Sequence, residues 1–281
     1  MQLIKTLPSL FSLNTLRVCI ASISLGLLTA AVGHAQPEVP SGIDHAPLDA
    51  LFREYVDEHG LVDYARWRDS DADLAALKQY LAQFAPKPET SADGDEKIAA
   101  LINAYNAFTI EFILDNYPTE SIRLLDSPFD AKRHRIGGEL VSVDDIEHTI
   151  LRPIIGWKVH SVVVCAARSC PPLLNRAYLP ETWQAQMEER YRTWLAREDL
   201  NSYDTGRFRK TVEVSRIFNW YSEDFTGPNS VEAVLRDFAP EKYRAFLAES
   251  FRVTFKNYHW GLNDQSDLGK DYKHSILRSL F

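Results

Sequence analysis

The sequence predicts an α+β fold, a single domain in which several helices pack on a small mixed or antiparallel sheet. Three observations carry that expectation. Apolar residues recur at helical spacing through several separate segments. Short β-branched runs, "KVHSVVVC" and "TVEVS", fall between those segments. Nothing repeats at a fixed period, and the alternation of strand and helix signals is too irregular for a doubly wound sheet.

Residues 1–35 are set apart from this domain. Lys5 and Arg17 precede or flank the apolar run "VCIASISLGLLTAAV", and "GHA" offers small residues at the positions a signal peptidase reads. This is the pattern of a secretory signal, too short to favour a spanning helix, and no later stretch approaches the roughly 20 apolar residues a span needs. The expected location is therefore periplasmic or secreted. Without Lys5 and Arg17 the basic residues fall from 31 to 29 against 39 acidic ones, a balance of −10. Such a chain has no electrostatic reason to bind nucleic acid or an anionic membrane. The partner expected is a small molecule or a peptide. Residues 36–44 read as a flexible leader, and 45–281 as the domain, with its core at 60–264.

The elements follow in order. "HAPLDALFREYVDEHG" places Leu48, Leu51, Phe52, Tyr55 and Val56 on one helical stripe that stops at Gly60. "LVDYARW" reads as a short extended piece and "ADLAALKQYLAQFA" as a second helix, stopped before Pro86 and Pro88. "EKIAALINAYNAFTIEFILDNYP" is apolar in nearly every direction, which describes a helix buried on most sides. "RHRIGGELVSV" is a hairpin with Gly137-Gly138 at its tip. "SVDDIEHTILR" is a helix capped by Ser142. "KVHSVVVC" should be a central strand, followed by the helix "ETWQAQMEERYRTWLARE", the strand "TVEVS", three further helical segments and a late strand in "SFRVTFKNYHWGLND".

The candidate chemistry gathers around "WKVHSVVVCAARSCPPLL". Cys165 and Cys170 are the only cysteines after the signal, and two cysteines in an exported chain admit one disulfide. Cys170 precedes Pro171, so its backbone is extended, and "CPPLLNR" can begin a short helix with the thiol at its cap. A helix N-terminus and Arg168 would both favour the thiolate. Cys170 is thus the candidate nucleophile, and its competitor reading is a disulfide with Cys165. A nucleophile needs a base, for which His160 and His148 are the candidates. Glu147 is adjacent to His148, so on an α-helix their side chains diverge and do not pair. Asn103 and Asn106 share one face of the apolar helix, where an unpartnered amide would cost about 1–3 kcal/mol. They either hold a loop backbone or wall a pocket as polarising amides. Trp220 and Asp224 in "RIFNWYSEDF", and Trp260 and Asp264 in "NYHWGLND", can line a cleft with Tyr105 and Ser169. No metal-ligand spacing, phosphate loop or dinucleotide fingerprint is present in the sequence, so neither metal nor cofactor is expected.

The motifs "INAYNAFTI", "SVDDIEHTILRP", "VHSVVVCAARSCPPL", "IFNWYSEDF" and "YHWGLND", in that order, resemble the DUF547 family of bacteria and plants. The resemblance implies a domain pattern through Asn103, Tyr105, Asn106, Asp145, Glu147, His148, His160, Cys165, Ser169, Cys170, Pro171 and Pro172, but no reaction. The order of a buried helix before a His-bearing strand is also similar to papain- and transglutaminase-like enzymes, which place a cysteine where this helix has Asn103 and Asn106. Two functions follow as expectations. One is cysteine-dependent acyl transfer or hydrolysis, with Cys170 as nucleophile, His160 or His148 as base, and Asn103 or Asn106 as orienting amide. The other is a non-catalytic binding module braced by a Cys165–Cys170 disulfide.

Overall fold

The computed structural model describes residues 36–206 and 210–273. The expected signal at 1–35 lies outside the described residues, as do the last eight positions of the expected domain. Among the described residues, nine α-helices accompany one two-stranded and one three-stranded sheet, an α+β architecture.

The organising element is helix α4, Gly94–Asp115. From Ile98 to Ile110 its side chains are buried without interruption. Contrary to the expectation that no stretch after the signal approaches a span, this helix is long and apolar enough to cross a membrane, yet the rest of the domain covers it. Each large apolar side chain it buries contributes about 1.5–3 kcal/mol, which is why this segment sits at the centre. Helices α2 (Tyr64–Arg68) and α3 (Asp71–Ala82) pack along it, and α1 (Ala46–Tyr55) packs on those two. Asp63 and Ser70 cap α2 and α3 through the backbone N–H groups of Arg66 and Asp73. Thus "LVDYARW" is largely helix; its extended part is confined to the bridge between Val56 and Val62.

The hairpin forms as the sequence indicates. Strands β1 (His134–Ile136) and β2 (Glu139–Val141) are antiparallel, and Gly137 and Gly138 both take positive φ, the geometry a two-residue turn demands. A Cβ at Gly137 would also meet the backbone of Glu38. That contact belongs to a correction: residues 36–44 are not a loose leader. Val39 is buried, and backbone hydrogen bonds join Ser41 to Thr90 and Ala92 to Val39.

Asp145–Leu151 forms a π-helical segment that runs into α5, Arg152–Ile155. Ser142 and Asp145 cap it reciprocally, each side chain accepting from the other's backbone N–H at 2.9 and 3.0 Å.

The expected central strand does not exist. Gly156–Ser161 is a 3₁₀ turn, and residues 162–169 are a buried irregular segment. Its β-branched run is buried as the sequence requires, but Asn106 takes the place of a neighbouring strand, donating to the Val162 carbonyl at 2.8 Å and accepting from the Val164 N–H at 2.9 Å. The three-stranded sheet forms elsewhere. β3 (Ser202–Asp204) pairs antiparallel with β4 (Thr211–Val214), which pairs parallel with β5 (Arg252–Phe255). Helix α6, Trp183–Ala196, α7, Ile217–Trp220, and α8, Val231–Phe238, complete the larger elements. The "PEKYRAFLAE" helix shortens to Arg244–Leu247 after a 3₁₀ turn.

Candidate functional site

A pocket of about 230 Å³ opens where α4, the π-helical segment, the Cys165–Pro171 loop, α7 and the 258–260 loop meet. Of the residues that the sequence singles out, it draws together Tyr105, Glu147, His148, His160, Cys170, Trp220 and Trp260.

Its first wall is sulfur. Cys165 and Cys170 form a disulfide, their Cα atoms 6.5 Å apart. The Tyr258 hydroxyl lies 3.3 Å from one sulfur and 3.1 Å from the other, and the Cys165 N–H donates to the Cys170 sulfur at 3.2 Å. The nucleophile expectation is corrected accordingly: Cys170 carries no free thiol here. Residues 171–174 are not helical, so no helix N-terminus faces its sulfur.

The second wall is an ion-paired histidine. His160 Nε2 lies 2.7 Å from Asp224 Oδ2, and Arg152 grips the same carboxylate with Nε at 2.6 Å and Nη2 at 3.0 Å. Burial lowers His160 to a pKa of about 4, outweighing the pull of Asp224. The reason is competition: Asp224 is already neutralised by a bidentate arginine and has little charge left to hold an imidazolium. Burial pushes Asp224 up, but the hydrogen bonds from Arg152 and His160 outweigh it and leave the carboxylate below its ordinary value. The neutral ring then carries its proton on Nε2, leaving Nδ1 as an acceptor. It stacks on Tyr221 with centroids 4.2 Å apart.

The third wall comes from the π-helical segment. Asp144, Glu147 and His148 all line the pocket. On an α-helix Glu147 and His148 would point apart; the wider turn, closed by the Arg152 N–H on the Glu147 carbonyl, lets both face one hollow. Glu147 is buried, and desolvation raises its pKa above the usual carboxylate value, opposed by His148 and the Tyr105 hydroxyl. His148 Nε2 lies 3.4 Å from Asp144 Oδ1, while its buried Nδ1 has no partner among the described residues. Burial likewise holds the Tyr105, Tyr221 and Tyr258 phenols protonated. Trp220, Tyr258 and Trp260 form an aromatic cluster at the mouth, with Arg123 over the Trp260 ring.

The remaining candidates lie elsewhere. Asn103 and Asn106 are not pocket amides; both are spent on backbone. Asn103 donates to the Tyr178 carbonyl and accepts from the Tyr178 N–H, each at 2.8 Å. Arg168 reaches the carbonyls of Asp264 and Ser266, and Ser169 accepts from the His259 N–H at 2.8 Å. Asp264 is buried, and its Oδ1 accepts from the Ser266 N–H. These five residues shape loops and do not line the cavity. Tyr258, Arg152 and Arg123 line or support the pocket without being candidates from the sequence. Tyr258 begins the quoted "YHWGLND" and Arg152 ends "EHTILR", so both sit inside motifs whose other members drew attention first.

What the arrangement can do chemically follows from its protonation states. It offers neutral phenols, a neutral imidazole acceptor and a carboxyl with raised pKa, all beside aromatic faces. Residues 90–195 match the model of a family described as a protein of unknown function, DUF547. No curated protein and no solved structure matches. The matched stretch supplies Tyr105, Glu147, His148, His160 and both cysteines, and stops before the Trp220 and Trp260 side of the pocket.

Proposed function

We propose that this chain, whose residues 90–195 match the DUF547 family model, is a disulfide-braced binding module acting outside the cytoplasm. Its ligand is a small ring-bearing molecule with one hydrogen-bonding group. The observation that carries this reading is the disulfide in the pocket wall, which removes the thiol and braces the loop against Tyr258 of the aromatic cluster. Size supports the ligand class. A cavity of about 150 Å³ accommodates benzene, so about 230 Å³ suits one substituted ring. The ring would meet Trp220, Tyr258 and Trp260, and its polar group would meet Glu147, His148 or His160. The test is tryptophan fluorescence with a panel of benzamide, phenol, indole and benzoate. Saturable quenching by at least one compound, lost in Trp220→Ala, is the expected result. A flat response to the whole panel would count against the proposal.

A second reading rests on a specific contact. If the bridge is reduced, the Cys170 sulfur already has two donors, the Cys165 N–H and the Tyr258 hydroxyl, and these stabilise a thiolate. Cysteine-dependent acyl transfer would then require reducing conditions. Intact mass after alkylation, with and without reductant, separates the readings. Alkylation of the untreated native protein at both cysteines would favour the thiol, and its absence the binding module.

A further inference from the structure

On another face, a groove of about 1000 Å³ runs between the start of α1, α4 and the loop leading into α6. None of its lining residues belongs to the disulfide pocket. Its floor holds His45, only 8% exposed. The orientation of the Asn103 amide is fixed, because its oxygen accepts from the Tyr178 N–H and its nitrogen donates to the Tyr178 carbonyl. That nitrogen also lies 3.2 Å from His45 Nδ1, with the Tyr80 hydroxyl at 2.9 Å from the same atom. An amide nitrogen can only donate, so His45 Nδ1 accepts and the ring proton sits on Nε2. Among the described residues that Nε2–H has no partner. The ring is mostly buried, and its one donor without a protein partner belongs to a side chain that lines the groove.

The rim is acidic. Asp44, Asp49, Glu96, Glu181 and Glu189 line it against Arg53 and Arg176, a balance of −3. Both arginines are committed, to Asp49 and Glu189 respectively. Among the described residues Asp44 and Glu181 enter no ion pair. Leu179, 43% exposed, adds an apolar surface between the charges.

We propose that this groove is a second binding site, taking a short cationic peptide. One backbone carbonyl of the peptide accepts from His45 Nε2–H, and its lysine or arginine side chains reach Glu181 and Asp44. The volume is at the upper end of the roughly 300–1,000 Å³ found for small-ligand pockets, which suits an extended segment better than a compact ring. An imidazole donor without a protein partner, in a groove whose Asp44 and Glu181 enter no ion pair, suits a ligand with both an acceptor and positive charge, which a bare polyamine lacks.

The experiment is fluorescence anisotropy of a fluorescein-labelled Gly-Lys-Ala-Lys-Ala-Lys peptide titrated with the protein, with the glutamate analogue as control and spermidine as competitor. The basic peptide is expected to bind, the acidic one not, and spermidine at equal concentration to displace little. His45→Phe and Glu181→Lys should each weaken binding about tenfold, whereas Trp220→Phe in the disulfide pocket should leave it unchanged. Glu181 is exposed, so its replacement keeps the test decisive even if the His45 variant folds poorly. Equal binding of both peptides, an unaltered affinity in Glu181→Lys, or full displacement by spermidine would each overturn the proposal.

Discussion

Asp224 is the residue on which the pocket's charge state turns. It receives two hydrogen bonds from Arg152 and one from His160 while largely shielded from solvent, its side chain 14% exposed. Removing one member of such a group leaves the others desolvated and unpaired, which costs far more than the pair itself is worth. Asp224→Asn should therefore lower stability by about 3 kcal/mol, read from urea denaturation at neutral pH. It should also weaken the His160–Tyr221 stack, seen as a shift in the imidazole proton resonances. A loss below the noise of the measurement would mean that Arg152 finds Glu223 an adequate replacement, since it already donates there at 2.6 Å. At this scale the sequence was informative about residue type and silent about partners. His160, Asp224, Glu147 and Trp220 stand out as polar or aromatic groups in apolar surroundings. That Asp224 belongs to His160, 64 positions away, is a tertiary fact no spacing encodes. The two cysteines were legible as a pair, but the choice between bridge and thiol rests on geometry.

Elements reveal why the central strand was misread. "KVHSVVVC" has the β-branched composition of a strand because its side chains are buried, and composition reports burial more directly than backbone pairing. The hydrogen bonds a strand would take from a neighbour come here from one asparagine on α4. The same asparagine's poor helix propensity was the visible sign that it had a separate task. Asn106→Ala should expose the consequence. The Val162 carbonyl and Val164 N–H would be left buried without partners, costing about 1–3 kcal/mol each. Hydrogen exchange at Val164 should accelerate far more than exchange in α1 or α8, because the loss is local. Uniform acceleration across the domain would instead mark Asn106 as an ordinary core contributor. A second element-level expectation concerns Ala166, which takes φ +58° in the same segment. Ala166→Gly relieves that strain and should stabilise the fold by about 1 kcal/mol, measured as a raised urea midpoint. The hairpin, the Ser142 cap and the central helix were legible in advance because their signals are local; the 162–169 segment was not, because its structure depends on a partner from another element.

At the scale of the whole molecule the disulfide and the buried histidines set how the fold responds to its surroundings. The bridge closes a loop five residues apart in sequence, so its chain-entropy contribution is only about 2 kcal/mol, and a domain with this much buried core should stay folded when reduced. Acid should do more damage. Burial lowers His134 and His160 to about 4 from 6.5, and burial lowers His45 as well. Below pH 6.5 the unfolded chain takes up protons that the folded chain refuses until about pH 4. Stability is therefore full above pH 6.5 and falls as the pH drops from 6.5 through 4. With two such groups the slope in that interval is about 2.7 kcal/mol per pH unit. Glu147 works in the opposite sense, since its raised pKa lets the folded state bind a proton first, and it softens the acid end of the interval. His134 is the clean probe: it stacks on Phe108 at 4.1 Å and lies away from the pocket. His134→Phe keeps that packing and removes one proton site, so stability from urea unfolding between pH 7.5 and 4 should fall less steeply than in the parent chain, by about 1.4 kcal/mol per pH unit. An unchanged slope would place the acid sensitivity in the His160–Asp224–Arg152 group and His45, and would show that the hairpin histidine is protonated without cost.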